Sequence, residues 1–255
     1  MRQNFIASIT ILLFSSILFL SCDKSEQLDK VPIAEYNPTI VGKYITYRVD
    51  STVFTNFGTS IETHKYRVKH VVNAQVTDNL GRPSYRIYTY ITDSAGAGPW
   101  VANGSYLITP TPNTIEVIEN NLRVIKLNWP AEFGTSWKGN RHLPSDPYEP
   151  LYNFSTDDNM NDGDFYYEEN EVDSIKMFGK TYYKVISILQ NDEAYNAPVV
   201  DPQVYGSKAF GLEKYSRNIG LVYREYILWE YQPPINNLPG NYKGFGIKMW
   251  MIDHN

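Results

Sequence analysis

The chain has 255 residues, 42% of them hydrophobic, with 23 Lys and Arg against 28 Asp and Glu and a single cysteine. A net charge of -5 supplies no basic face for phosphates, which excludes nucleic acid as a partner. One cysteine excludes an internal disulfide or a cysteine-built zinc site.

In chain order, Arg2 precedes an uncharged run from Phe5 to Leu20, and the next charge is Asp23. This is the order of an export signal. The run falls short of the roughly 20 apolar residues of a spanning helix and is interrupted by Ser8, Thr10, Ser15 and Ser16. An uncleaved membrane helix is the competing reading. Leu18-Phe19-Leu20-Ser21-Cys22 resembles the lipobox of bacterial lipoproteins, with Phe19 where that motif usually has Leu. The resemblance implies that residues 1–21 are a signal peptide and that Cys22 becomes a lipidated first residue carrying palmitate-type chains. Two or more such chains hold a protein at a membrane without a spanning segment. The mature chain then has no thiol left, and loss of Arg2 leaves 22 basic against 28 acidic residues, a net of -6. Residues 22–38 read as the lipidated N-terminus and a flexible polar tether. The expected address is the cell envelope, at the outer membrane, with the leaflet left open. Asp23 and Glu26 beside Lys24 resemble acidic export tags.

Residues 39–255 read as a single β-rich domain. Ile45, Tyr47 and Val49 share one face of a strand, and Tyr66, Val68, His70 and Val72 share one face of the next, the period-two signature of half-buried strands. Further strands are expected at 85–91, 105–109, 114–119, 122–129, 165–175, 181–189, 212–215, 221–231 and 245–252. Turn chemistry separates them at Asp78-Asn79-Leu80-Gly81, Asn120-Asn121 and Arg217-Asn218-Ile219-Gly220. No window holds a helical period. The fold class is mainly β: an antiparallel meander of about ten or eleven strands, curled into an open barrel or split into a sandwich. Val41-Gly42-Lys43-Tyr44 and Phe133-Gly134-Thr135-Ser136-Trp137 share a loose pattern that would suit two halves of a duplicated sheet.

The segments Glu213–Glu225, Trp229-Glu230-Tyr231-Gln232-Pro233, Gly244-Phe245-Gly246-Ile247 and Trp137-Lys138-Gly139-Asn140 are similar to uncharacterised lipoproteins of the Bacteroidota. That family implies no activity. A more distant resemblance, on strand count and the Ile219-Gly220-Leu221-Val222 hairpin, is to open β-half-barrels of the lipoprotein-carrier type, and it implies fold alone.

No catalytic constellation emerges. His64, His70, His142 and His254 hold no metal-ligand spacing, no Gly-x-Ser-x-Gly elbow exists, and Gly179-Lys180-Thr181 reads as a hairpin turn. From His142 to Ile175 there are ten acidic residues and no Lys or Arg. Within that stretch Asp157, Asn159, Asn161 and Glu168 match ligand positions of a calcium loop, while Asp162 stands where the loop needs glycine. Calcium is thus the one cofactor considered. Trp100, Tyr148, Tyr152, Tyr195 and Tyr242 read as loop aromatics that could meet a glycan or an envelope protein. Three functions follow: non-enzymatic binding of a ligand or protein partner; a lipid or lipoprotein carrier with an apolar cavity; a carboxylate-dependent glycan hydrolase.

Overall fold

The computed structural model describes residues 31–155 and 160–255. The signal peptide, Cys22, and Asp157 and Asn159 of the acidic stretch lie outside the described residues. Pro32–Asn255 forms one compact unit. Its strands are β1 (Tyr44–Thr55), β2 (Ser60–Thr77), β3 (Pro83–Asp93), β4 (Val101–Pro110), β5 (Thr114–Glu119), β6 (Leu122–Asn128) and β7 (Ser136–Trp137). They continue with β8 (Phe165–Tyr167), β9 (Val172–Met177), β10 (Lys180–Tyr195), β11 (Gly206–Ser216), β12 (Gly220–Gln232) and β13 (Asn241–His254). One short helix, α1 (Glu149–Tyr152), interrupts them, and no described helix is long and apolar enough to cross a membrane.

All thirteen strands join one antiparallel sheet in the order β6-β5-β4-β3-β2-β1-β13-β12-β11-β10-β8-β7, with β9 paired to β10. This is a meander cut open between β6 and β7 and joined through β1 and β13, whose register runs from Ile45 opposite His254 to Thr52 opposite Gly246. The sheet therefore curls into a nearly closed barrel, which decides between barrel and sandwich. At the seam a few bonds replace a ladder. Ile125 N donates to Gly139 O at 2.9 Å, Trp137 Nε1 donates to Ile125 O at 2.8 Å, and Tyr167 OH donates to Asn128 O at 2.6 Å. Gly139 is required here, because a Cβ would sit 2.2 Å from the Phe165 ring.

The strand count is two above the expected eleven, for identifiable reasons. Residues 165–175 were expected as one strand. The chain instead leaves the ladder after Tyr167, because Glu171 turns to meet Arg217 (Nε at 3.0 Å and Nη2 at 2.6 Å). It rejoins as β9. The two-residue β7 is too short to carry a pattern. The hairpin expected at Arg217–Gly220 joins β11 to β12, with Asn218 at φ 63° and Gly220 at φ 112°, backbone that Asn and Gly adopt at least cost. Phe178-Gly179 likewise joins β9 to β10, as a hairpin turn.

Residues 32–38, expected as part of a tether, belong to the compact unit, which starts at Pro32 rather than residue 39. Ile33 and Tyr36, in a 3-10 turn over Ile33–Tyr36, are each 2% exposed. Glu35 O accepts from Asn218 N at 2.7 Å, and Tyr36 OH donates to Glu171. Burying two large side chains stabilises this segment by about 2 kcal/mol each, more than a free tether can forgo.

The sides of the barrel differ in filling. Around β8 and β10 the interior is solid, with Phe165, Tyr167, Ile186 and Ile188 no more than 1% exposed. A second cluster, Tyr47, Val49, Val68, Val222, Met249 and Met251, uses the alternating residues of β1, β2, β12 and β13. Next to it, the space enclosed by β1–β6, β12 and β13 is not filled.

Candidate ligand-binding cavity

That unfilled space is a cavity of about 370 Å³, within the range of small-molecule sites. Much of the wall is the inward half of strand alternation: Val49 from β1, Tyr66 and Val68 from β2, Val117 from β5, Leu122 and Val124 from β6, and Phe245, Ile247 and Met249 from β13; Thr89 from β3, Asn103 and Ser105 from β4, and Asn120 make the rest polar. A smaller space of about 70 Å³ adjoins it towards the start of β1. The two share His70, Val117, Glu119 and Arg224.

Charge is concentrated on one wall. Glu213 and Arg224 stand opposite each other on β11 and β12. Glu213, 1% exposed, accepts from Arg224 Nε at 2.6 Å, Lys126 Nζ at 2.9 Å and Tyr215 OH at 2.7 Å. Burial works against its ionisation, but Arg224 and Lys126 outweigh that and hold the carboxyl down at about 2. Burial likewise opposes the charge on Arg224, and Glu213 more than compensates, so its pKa is raised. Lys126 goes the other way: burial lowers it and Glu213 offsets only part. Glu213 itself does not line the cavity, whereas Lys126 and Arg224 do. His70 packs edge-on to Tyr47 at 5.1 Å, and its Nδ1 is 3.1 Å from Tyr106 OH. Burial, helped by the Arg224 charge, pushes the imidazole down to about 3, so it is neutral at any physiological pH.

Two of the five expected contact aromatics reach this cavity. Tyr148 caps α1 and Tyr152 ends it, and both line the cavity mouth with Leu151. Tyr152 stacks on Phe245 at 4.0 Å. Tyr148 packs on the same ring at 5.3 Å and its OH lies 3.3 Å from Tyr226 OH. The other three are scattered. Trp100 carries the Lys69 ammonium at 4.6 Å. Tyr195 and Tyr242 were expected in loops, but they belong to strands β10 and β13. Tyr242 is committed to packing, stacked with Phe54 at 5.2 Å and against Tyr231 at 4.9 Å. Strand alternation at those positions was hidden by the Pro and Asn residues nearby.

Of the four residues of the calcium pattern, Asn161 and Glu168 lie among the described residues. Asn161 lies in the turn Met160–Asp162. Glu168, just past β8, gives its backbone N–H to Ser187 O, and no group of three or more His, Cys, Asp or Glu able to hold a metal occurs among the described residues. Several acids of that stretch are paired instead: Asp164 with Lys138 at 3.3 Å, Asp173 with Lys184 at 2.5 Å, and Glu171 with Arg217. His64 pairs with exposed Glu62 at 3.0 Å, and His142 accepts from Arg141 Nε at 3.2 Å.

The sequence reading missed Glu213, Arg224 and Lys126. Their signal was present: each charge falls in phase with an inward face, Arg224 with Tyr226 and Leu228, Glu213 with Tyr215, and Lys126 with Leu122 and Val124. A charge on a buried stripe is costly unless paired.

No family model matches the chain, and no curated protein does. Solved structures similar to it include a candidate exported protein with a YMCC-like fold from Bacteroides fragilis, at 10% identity over 84% of this chain and 97% of that one, TM-score 0.34. Another is a candidate lipoprotein from Parabacteroides distasonis, at 10% identity over 86% of this chain and 98% of that one, TM-score 0.38. A third is a candidate outer-membrane lipoprotein-sorting protein domain from Vibrio parahaemolyticus, at 11% identity over 84% and 85%, TM-score 0.16. All three TM-scores fall below 0.5, so the role of the cavity rests on its own residues.

Proposed function

We propose that this chain is a lipid-anchored envelope protein that binds an apolar or amphipathic ligand inside its barrel without chemically changing it. The observation that carries the reading is the cavity of about 370 Å³, in which aliphatic and aromatic side chains share the wall with polar and charged ones. Among the three functions weighed from sequence, the carrier is the one that needs such a space. Hydrolysis has less support. Glu119 is the one carboxylate among the cavity-lining residues, whereas a glycosidase needs two facing each other. Glu213 is tied by three donors and ionised far below neutral pH, which unsuits it as a proton donor.

The test of the cavity is to fill it. Val124→Trp places a ring in the space, and should abolish displacement of a fluorescent apolar probe without lowering the melting temperature. Unchanged probe binding would sink the reading. The anchor is tested separately by intact mass: protein from membranes should begin at Cys22 and carry acyl mass, and a chain starting at Met1 with a free thiol would refute it.

A further inference from the structure

The charged wall has an imbalance that bears on what the cavity holds. Arg224 and Lys126 bring two positive charges, and Glu213 returns one negative. Arg224 spends only Nε on Glu213; its Nη1 and Nη2 have no hydrogen-bond partner among the described residues. The side chain keeps 20% of its surface accessible, and it lines both the larger and the smaller space. His70, beside it, is neutral and adds no charge. Glu119 also lines both spaces; it is exposed and stands outside the hydrogen-bonded cluster, but its charge acts on both Arg224 and Lys126. A forked guanidinium with two free donors facing a cavity is suited to a planar or tetrahedral anion. Beside Arg224, whose strand partner is Met249, the wall carries an apolar strip of Val49, Val68, Leu122, Phe245, Ile247 and Met249, while Asn103, Ser105 and Asn120 keep another part of it polar.

We propose that the occupant is a single-chain amphiphile with an anionic head, a carboxylate or phosphate, whose head is bound by Arg224 and whose chain lies along β13 beneath Tyr148 and Tyr152. This rests on the cavity-binding reading and narrows it to one chemical class. Arg224 is the specificity residue. Glu213, Lys126 and Tyr215 position it, because they fix Nε and so aim the other two nitrogens into the space.

The experiment uses residues 22–255 with Cys22→Ser, so that no attached lipid and no detergent compete. Calorimetric titrations at neutral pH compare dodecanoate, dodecyl phosphate, dodecanol and acetate. At least one of the two anionic amphiphiles should bind more tightly than dodecanol, and acetate should not bind measurably. Arg224→Met leaves Glu213 paired with Lys126, so the barrel should still fold, as a cooperative melt will show. It should weaken the anionic amphiphile by about 10- to 100-fold, the worth of charged hydrogen bonds, and leave dodecanol unchanged. Glu119→Gln should tighten the anionic amphiphile, a direction that a merely structural role for Arg224 does not produce. Equal binding of dodecanoate, dodecyl phosphate and dodecanol, unmoved by Arg224→Met, overturns the head assignment but leaves the cavity reading standing. Acetate binding as tightly as dodecanoate overturns the amphiphile in favour of a small anion. If none of the twelve-carbon compounds binds, both readings fall.

Discussion

Glu213 is a fully enclosed carboxylate with a donor on each side. Replacing it with Gln would leave Arg224 and Lys126 facing each other inside the barrel without a counter-charge. Breaking a buried charge network in this way costs about 3–5 kcal/mol, so denaturant melts of Glu213→Gln should show a loss of that order. His70 predicts a pH dependence. Its folded pKa, about 3, lies below the ordinary 6.5. Above 6.5 the ring is neutral in both states and contributes nothing. Between 6.5 and 3 the unfolded chain takes up a proton that the folded chain refuses, so stability falls as pH falls, by at most about 1.4 kcal/mol per pH unit. His142, also lowered by burial, adds in the same direction. His70→Phe should flatten the curve of melting temperature between pH 6.5 and 4.5; an unchanged slope would mean that cavity water already solvates the imidazole.

At the scale of elements, alternation along β1 and β2 made their inward faces legible in the sequence. Tyr66, Val68 and His70 share the cavity wall as their spacing required. Turn residues fixed the hairpin at Asn218 and Gly220. What alternation cannot show is where a strand is broken from outside, as Glu171 is drawn off by Arg217, or how two edges meet. One of the bonds that hold the seam between β6 and β7 comes from an indole. Trp137→Phe keeps the ring contacts with Phe165 and Tyr167, 5.9 and 5.1 Å away, but removes the donor to Ile125 O. The expected cost is about 1 kcal/mol, with faster amide exchange at Ile125 and Leu127 as the local sign of a loosened seam. The candidate site was less legible than the fold. Tyr148 and Tyr152 were singled out and reach the cavity, but its charged centre draws on β6, β11 and β12, brought together by pairings between positions 87 residues apart in the case of Lys126 and Glu213. No local window contains such a relation.

For the molecule as a whole, the sheet is two meanders, β1–β6 and β7–β13, joined in one ladder where β13 pairs with β1. Strand β13 pairs ten residues with β12, from Tyr223 opposite Trp250 to Gln232 opposite Asn241, and eight with β1. Deleting residues 241–255 should therefore abolish a single cooperative unfolding transition, whereas trimming a surface turn should not. Among the described strands β13 is made last. Until it arrives, β1 and β12 are bare edges, and most of the cavity's apolar wall has no opposite side. Synthesis order thus acts as a clock: the barrel cannot lock before β13 is made. For a chain exported as we propose, this delay keeps the preceding strands threadable until β13 has followed them through the membrane.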